Sequence, residues 1–245
     1  METNVIYNED CIGENGMKTL PDNSIDLLLT DPPYRIHAKS GGGLHNNREW
    51  LSNVHKDGID KFEPQLFLEE VYSKLKIFNA YIFCSKDLLT EYINFAKNKE
   101  LNWDLLIMSK ANPIPTKNNK YLSDKEYCIF MREKGAYFNN DLKYKNYYSV
   151  KKVNVTPNKY HSAEKPLKFI DSIIKISSKE KDLILDPFIG SGTTALSCLQ
   201  NNRKFIGYEK EKKYYNIALK RIGKFDKSYY KKLPKEEKPK QKQLF

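Results

Sequence analysis

Short apolar runs of strand length alternate with amphipathic segments of helical period along most of this chain. Residues 25–30 form one such run and residues 183–185 another, and an aspartate and a proline follow each of them. Strands that alternate regularly with helices favour a parallel sheet with helices on both faces. The 245 residues suffice for one such domain with a sizeable core. We therefore predict an α/β fold with a doubly wound, mainly parallel sheet.

The same patterns give the approximate positions of the elements. We predict strands at 5–7, 25–30, 80–84, 103–108, 127–131, 183–185 and 205–208. We predict helices at 11–20, 64–76, 86–98 and 165–176, with two more that end near residues 200 and 222.

The tetrapeptide Asp31-Pro32-Pro33-Tyr34 directly follows the buried strand at 25–30. The two prolines fix φ and cannot continue a strand ladder, so the chain must leave the sheet at this point. The corner holds a carboxylate and an aromatic ring rigidly at the carboxyl edge of the sheet, where open α/β sheets bind ligands. A strand-ending turn with an aspartate cap has the same residues, so the tetrapeptide alone leaves both interpretations open.

A second motif, Asp186-Pro187-Phe188-Ile189-Gly190-Ser191-Gly192-Thr193-Thr194, joins a strand to a helix. Its glycines allow the backbone to approach a ligand, and the free N–H groups of the helix start attract an anionic group. The next strand ends at Glu209, whose carboxylate can accept hydrogen bonds from both hydroxyls of a ribose. The glycine spacing is not Gly-x-Gly-x-x-Gly, which argues against a standard dinucleotide site.

The formal net charge of +11 and the pI near 9.2 indicate a polyanionic partner, most simply nucleic acid. A lysine-rich surface encoded by an AT-rich genome would give the same charge. The four cysteines form no Cys-x-x-Cys pair, so we expect reduced thiols in a cytoplasmic protein. The chain starts without a basic leader and has no apolar run of about 20 residues, so we expect no membrane association.

Three segments lack a clear period. Residues 35–61 contain Gly41-Gly42-Gly43 and three histidines without metal-ligand spacing, so we expect a mobile loop and no metal. Residues 132–160 are rich in tyrosine, lysine and asparagine, and residues 226–245 form a lysine-rich tail that we expect to be disordered. The last five residues, 241–245, weakly resemble peptides that dock on bacterial sliding clamps, a pattern that chance also produces.

Taken together, the two motifs resemble those of the amino-group DNA methyltransferases, and their order along the chain resembles that of the beta class. Two further segments agree with this resemblance. His161-Ser162-Ala163-Glu164-Lys165-Pro166 resembles the family's His-Pro-Thr-Gln-Lys-Pro, and Lys110-Ala111-Asn112-Pro113-Ile114-Pro115 with Glu126 resembles its Lys-x-Asn-Pro-x-Pro region. The similarity spans roughly residues 4–222. Ser162 and Glu164 depart from the family pattern, which weakens the carry-over of a contact to the cofactor's carboxylate.

The resemblance implies a Rossmann-like methyltransferase sheet with circularly permuted motif order, S-adenosylmethionine as cofactor and double-stranded DNA as substrate. It implies a catalytic domain at 1–225 with a short target-recognition region at 132–160. The implied catalytic residues are Asp31, Pro32, Pro33 and Tyr34. The implied cofactor-binding residues are Asp10, Cys11, Asp31, Ser162, Lys165, Asp186, Pro187, Phe188, Gly190, Ser191, Gly192, Thr193, Thr194 and Glu209.

In this group of enzymes the acceptor is an exocyclic amine whose lone pair is delocalised into the base. Hydrogen-bond acceptors on the amine localise that lone pair, and we assign this role to the carboxylate of Asp31 and the carbonyl of Pro32. Tyr34 is placed to stack on a base that has swung out of the duplex. Cytosine-C5 transfer is excluded because it needs a nucleophilic cysteine, which follows a proline in the family that performs it, and this sequence has no Pro-Cys.

The leading hypothesis is adenine-N6 methylation of DNA, and the alternative is cytosine-N4 methylation, a branch that more often has serine at the position of Asp31. An inactive nucleic-acid-binding protein and a methyltransferase for RNA or for protein glutamine are further alternatives. We expect a bacterial or phage-encoded protein that acts in a restriction–modification system, as an orphan enzyme or in phage defence. A homodimer and a cognate restriction enzyme are the implied protein partners. The DNA sequence that is read cannot be carried over.

Overall fold

The computed structural model describes residues 1–33, 62–113, 121–154 and 164–234. In this part of the chain, eight strands form one sheet and five α-helices cover it. The strands are β1 Val5–Tyr7, β2 Leu27–Thr30, β3 Asn79–Cys84, β4 Asn102–Lys110, β5 Lys125–Arg132, β6 Val150–Val153, β7 Leu183–Asp186 and β8 Lys204–Tyr208. The helices are α1 Pro64–Lys74, α2 Leu89–Asn98, α3 Leu167–Ser177, α4 Thr193–Gln200 and α5 Lys212–Gly223.

The sheet has the strand order β1-β8-β7-β2-β3-β5-β4-β6. The first five strands in this order, β1, β8, β7, β2 and β3, are parallel to one another. β5 runs antiparallel to β3 and β4, and β6 is parallel to β4. From β2 the chain moves outward to β3, whereas from β7 it moves outward in the other direction to β8. The crevice between β2 and β7 is therefore the topological switch point, where open α/β sheets bind ligands.

The helices cover both faces of the sheet, which confirms the predicted doubly wound fold. Leu28 faces one side and packs in a core cluster with side chains of α1 and α2, such as Phe67 and Phe95. Leu27 and Leu29 face the other side, in a cluster with side chains of α3, α4 and α5. Because β2 is buried on both faces, its sequence is continuously apolar up to Thr30.

The structure differs from the sequence predictions at two places within the sheet domain. The expected helix at 11–20 is only a 3-10 turn at Met17–Thr19. Gly16 has a ψ of −145°, outside the helical region, and lies so close to Cys11 that a Cβ atom there would be 2.2 Å from the Cys11 carbonyl oxygen. The aperiodic region 132–160 contains the edge strand β6, which pairs only with β4 among the described strands.

The ordered chain also continues past residue 225, where we placed the end of the domain. Lys227–Lys232 forms a 3-10 helix, and the side chains of Tyr229 and Leu233 are buried. The Tyr229 hydroxyl donates a 2.8 Å hydrogen bond to the backbone oxygen of Asn4. This contact fixes the start of the predicted tail to the start of the chain.

The remaining segments of interest lie outside the described residues. They are the whole loop at 35–61, residues 155–160 of the region at 132–160 and the terminal residues 235–245. Of the helices that the structure does describe, none combines the length and the apolar character needed to cross a bilayer.

Candidate active site

The two sequence motifs lie on neighbouring strands. β2 and β7 pair in parallel, with Leu27 opposite Ile184 and Leu28 opposite Leu185. The Thr30 hydroxyl at the end of β2 donates a 2.8 Å hydrogen bond to Oδ1 of Asp186 at the end of β7. The corner that starts at Asp31 and the glycine turn that follows Asp186 therefore share one edge of the sheet, at the switch point.

Asp31 leaves the sheet immediately after β2, and its side chain is 23% exposed. The buried Pro32 and the half-buried Pro33 follow it, whereas Tyr34 lies outside the described residues. The Lys165 ammonium group, only 8% exposed, donates a hydrogen bond to Oδ2 of Asp31. A buried cation thus contacts the carboxylate that the sequence singled out.

Lys165 is part of a longer chain of charges that runs toward β4. Its Nζ lies 3.2 Å from Oε2 of Glu126, and Oε1 of Glu126 lies 2.8 Å from Nζ of Lys110. The same Nζ lies 4.9 Å from the centre of the Phe83 ring. Negative and positive groups alternate in the order Asp31, Lys165, Glu126, Lys110, so each carboxylate has a cationic neighbour.

These contacts keep the buried groups ionised. Burial tends to lower the pKa of Lys165, but the nearby carboxylates of Asp31 and Glu126 outweigh burial and raise that pKa above its ordinary value. Burial likewise tends to raise the pKa of Glu126, and Lys165 and Lys110 outweigh it, so this pKa is lowered. The sequence indicated Lys110 and Glu126 only as part of a similar segment, and it did not indicate their contact with Lys165.

The glycine turn uses its two glycines differently. Both have positive φ, +53° at Gly190 and +81° at Gly192. A Cβ atom on Gly192 would lie 3.1 Å from Cβ of Ala218 on α5, so this glycine is required for packing. Within the described part of the chain, a Cβ atom on Gly190 would have only the carbonyl oxygen of Phe188 within reach, at 4.0 Å. Gly190 therefore borders open space where a ligand can approach the backbone.

Asp186 is buried beneath this turn. Its Oδ1 accepts the hydrogen bond from Thr30 and another, 3.2 Å long, from the backbone N–H of Phe188. Burial raises the pKa of Asp186 to about 6, although hydrogen bonds from Thr194, Thr30 and the Phe188 backbone oppose this shift. The carboxylate therefore acts first as an acceptor that fixes the turn and the adjoining strand.

Arg221, which sequence reasoning missed, fastens the same turn from α5. Its Nη1 donates hydrogen bonds to Oγ1 of Thr193 at 2.8 Å and to Oγ of Ser191 at 3.1 Å. Its Nη2 lies 2.5 Å from Oε1 of Glu164, and the side chain of Arg221 is only 9% exposed. One signal in the sequence could have indicated this arginine: Glu164 stands where the resembling family has glutamine. A carboxylate that is largely removed from water requires a cation, and Arg221 supplies it.

The rim of the crevice carries an aromatic group and an acidic group. The Phe188 ring lies 5.7 Å from that of Phe62 and 5.6 Å from that of Phe67, measured between centroids. Glu209 follows β8, and its Oε1 accepts a 2.8 Å hydrogen bond from the backbone N–H of Glu211. Burial raises the pKa of Glu209 to about 7. The Phe188 ring therefore packs partly into the core.

Asp10 and Cys11 lie after β1, which is the neighbour of β8. The backbone N–H of Glu209 donates a 3.0 Å hydrogen bond to the backbone oxygen of Tyr7, which brings this loop close to the end of β8. Oδ1 of Asp10 accepts a 3.0 Å hydrogen bond from the N–H of Ile12, and Cys11 is buried. Burial raises the pKa of the Cys11 thiol far above its ordinary value, so this thiol stays neutral.

Ser162, a predicted cofactor-binding residue, lies outside the described residues, together with the rest of residues 155–163. Within the described ranges, the histidine, cysteine and acidic side chains nowhere form a group of three that could hold a metal ion.

Comparisons with known proteins agree with this arrangement. A family model described as DNA methylase, which covers N6 and N4 methyltransferases, matches residues 25–220. The type II methyltransferase M.HindIII of Haemophilus influenzae is 37% identical over 297 residues, which cover 89% of this chain and 94% of the relative. The type II methyltransferase M2.LlaDCHI of Lactococcus lactis subsp. cremoris is 30% identical over 244 residues, which cover 85% of this chain and 86% of the relative.

Solved structures give the same result at the level of the fold. The crystal structure of the M1.HpyAVI–SAM complex has a TM-score of 0.65 at 25% identity and covers 88% of this chain and 98% of its own. The cytosine-N4-specific PvuII DNA methyltransferase has a TM-score of 0.65 at 16% identity, with 89% and 86% covered. The resemblance drawn from the motifs is confirmed, and this chain belongs to the N6/N4 family of DNA methylases.

Proposed function

We propose that this protein transfers a methyl group from S-adenosylmethionine to the N6 amine of a flipped-out adenine in double-stranded DNA. The observation that carries the proposal is the position of Asp31 beside the glycine turn, across the switch point between β2 and β7. An acceptor for the amine and a cradle for a nucleoside cofactor then face the same crevice. Relatives that are type II methyltransferases support this proposal.

The residues around the glycine turn fit S-adenosylmethionine. The open side of Gly190 leaves room for close approach to the backbone, and the Glu209 carboxylate after β8 suits ribose hydroxyls. We assign the adenine ring of the cofactor to the side of Phe188 and of the loop at Asp10 and Cys11. When bound, the cofactor supplies the electrophilic methyl group on its sulfonium. The M1.HpyAVI relative was crystallised with this cofactor.

The chain's own contribution to the reaction is to position the amine and stabilise the charge that develops on it. The Asp31 carboxylate and the Pro32 carbonyl would accept hydrogen bonds from the two N–H groups of the amine, so that the nitrogen lone pair points toward the methyl group. Burial of the corner and its stiff prolines hold these acceptors in place before the base arrives. The cost of flipping the base, a few kcal/mol, would be offset by stacking and edge contacts.

Nucleoside analysis tests the proposal most directly. The protein is incubated with labelled S-adenosylmethionine and mixed-sequence DNA or RNA, and the products are digested to nucleosides. N6-methyladenine from DNA is the expected product. N4-methylcytosine would transfer the proposal to the alternative branch, and labelled RNA or no product would overturn it.

Asp31→Ala supplies the matching control for the catalytic assignment. Its methyl transfer should fall by at least about 100-fold because an acceptor for the developing charge is lost. Calorimetry should show that this variant still binds the cofactor. Near-full activity of this variant would contradict the assignment of Asp31.

The oligomeric state and the biological role stay predictions. A homodimer and a cognate restriction enzyme follow from the resemblance alone. The lysine-rich composition, with a formal charge of +11, suits the phosphate backbone of DNA.

A further inference from the structure

Lys165 is buried against the acidic side chain of the catalytic corner. We propose that Lys165 is a positioning residue, which fixes the orientation of the Asp31 carboxylate for the target amine, and that Glu126 balances its charge. This inference rests on the proposed methyl transfer. It differs from the role that the resemblance implies for Lys165, a contact with the carboxylate of the cofactor.

Several groups restrain the Lys165 side chain. Its Nζ contacts Oδ2 of Asp31, lies 3.2 Å from Oε2 of Glu126 and lies over the Phe83 ring at 4.9 Å. Pro166 follows directly as the N-cap of α3, so the backbone has little freedom at this position. An ammonium group held this firmly restricts the position of one carboxylate oxygen and so limits the orientations that Asp31 can adopt.

Charge balance explains why a cation can be tolerated there. The amine becomes more positive as it attacks, so an isolated ammonium group nearby would oppose the reaction. Glu126 lies on the far side of Lys165 and is itself held by Lys110, 2.8 Å away. The four charges sum to zero, so Lys165 can orient Asp31 without adding net positive charge to the site.

The residue before Lys165 connects the same segment to the cofactor side. Glu164 contacts Arg221, which donates hydrogen bonds to Ser191 and Thr193 in the glycine turn. Two successive side chains therefore reach the two halves of the site, Glu164 toward the turn and Lys165 toward Asp31. This segment fixes the position of the acceptor carboxylate relative to the cofactor cradle.

Lys165→Met tests the proposal, and Lys74→Met is the matched control. The Lys74 side chain is also 8% exposed, and it forms an ion pair with Asp22 at 2.7 Å. Lys74 lies far from Asp31, because its backbone oxygen accepts a hydrogen bond from the N–H of Ile25, just before the amino end of β2. Lys165→Met should lower kcat by about 100-fold, the effect expected from a misplaced catalytic group. Its S-adenosylmethionine Kd should stay within about threefold, and Lys74→Met should keep kcat within about twofold.

Rescue by conservative variants separates positioning from a purely structural role. Lys165→Arg keeps a cation beside Asp31 and should recover part of the kcat that Lys165→Met loses. Glu126→Gln keeps an oxygen that can accept a hydrogen bond from Lys165 but removes the balancing charge, so kcat should fall while the S-adenosylmethionine Kd stays close to that of the wild type.

The outcomes are distinguishable. If Lys165→Met raises the cofactor Kd and leaves kcat intact, Lys165 serves the cofactor carboxylate and the proposal is wrong. If Lys165→Met lowers kcat and Lys165→Arg recovers none of it, a cation beside Asp31 does not position the carboxylate, which also overturns the proposal. Failure of the wild type to methylate DNA would instead contradict the proposed function on which the inference rests.

Discussion

The Thr30 hydroxyl donates a 2.8 Å hydrogen bond to Oδ1 of Asp186, and this bond joins the two motif strands at their buried carboxyl ends. The donor is 2% exposed and the acceptor 5% exposed. Thr30→Val would keep the shape of the side chain and remove the donor. We expect the free energy of unfolding to fall by about 1–3 kcal/mol, because a buried acceptor loses a partner.

Urea denaturation at two pH values checks this prediction. The loss should be larger at pH 8 than at pH 5, because the pKa of Asp186 is raised to about 6 by burial and a charged acceptor loses more. Thr30→Ser keeps the hydroxyl and should retain most of the stability at both values. A Thr30→Val variant as stable as the wild type at both pH values would show that this hydrogen bond does not stabilise the junction.

Glu209 should make both stability and nucleoside binding depend on pH. Burial raises its pKa from 4.5 to about 7 in the folded protein. The folded state therefore holds this proton more tightly, and the contribution of Glu209 to stability is largest below about pH 4.5 and declines until about pH 7. Glu209→Gln should remove that decline from a plot of Tm against pH.

The same group gives binding the opposite trend. Ribose hydroxyls that donate to the Glu209 carboxylate favour its ionised form. Nucleoside affinity should therefore rise as the pH increases from about 6 to about 8, one unit on either side of the Glu209 pKa of about 7. The suitable probe is 5′-methylthioadenosine, which has the ribose but lacks the titratable amino acid of S-adenosylmethionine. Calorimetry with Glu209→Gln should show weaker binding without the pH dependence. An unchanged pH dependence in this variant would place the ribose elsewhere.

The sequence was sufficient for elements whose own residues determine them. β2 and β7 are buried on both faces and a proline follows each within two residues, and α1 begins at Pro64 as predicted. β6 was missed because it is a short edge strand with partly exposed residues, so no apolar alternation marks it. The 3-10 helix after Asp226 was missed because lysine-rich composition hid two buried positions, Tyr229 and Leu233.

The parts of the site that sequence reasoning missed depend on distant pairs. Lys165 and Asp31 are 134 positions apart, and Arg221 and Ser191 are 30 apart on different elements. A local pattern gives the presence of a lysine or an arginine but not the carboxylate that it contacts. Here the fold supplies the missing step, because β2 and β7 are neighbours and α3 and α5 approach the same edge.

Arg221 should be important for both folding and cofactor binding. Arg221→Met removes the hydrogen bonds to Ser191 and Thr193 and leaves Glu164 without this cation. Breaking a buried ion pair in this way should lower the free energy of unfolding by about 3–5 kcal/mol. The S-adenosylmethionine Kd should rise by about tenfold or more, because the turn loses its restraint.

Glu164→Gln is the control for Arg221. It keeps an oxygen that can accept a hydrogen bond from Arg221 and preserves the contacts of the arginine with the turn. Its loss of stability should be well under half that of Arg221→Met in the same denaturation experiment. Equal losses would show that the ion pair alone, rather than the contacts with the turn, stabilises this region.

Gly190 and Gly192 offer a matched pair of substitutions one residue apart on either side of Ser191. Gly192→Ala places a methyl group 3.1 Å from Cβ of Ala218 at a φ of +81°, so it should destabilise the fold by about 2–4 kcal/mol. Gly190→Ala adds only the strain of φ +53°, about 1–2 kcal/mol, since its methyl group points into open space.

The order of the two variants should reverse for cofactor binding. We expect the cofactor to approach the backbone through the open space beside Gly190. Gly190→Ala should then raise the S-adenosylmethionine Kd more than Gly192→Ala does, although it lowers the free energy of unfolding less. The test is calorimetric titration with S-adenosylmethionine at a temperature where both variants remain folded. Gly190→Ala with wild-type affinity would mean that the cofactor does not use this side of the turn, because a methyl group there has no other neighbour to disturb within the described structure.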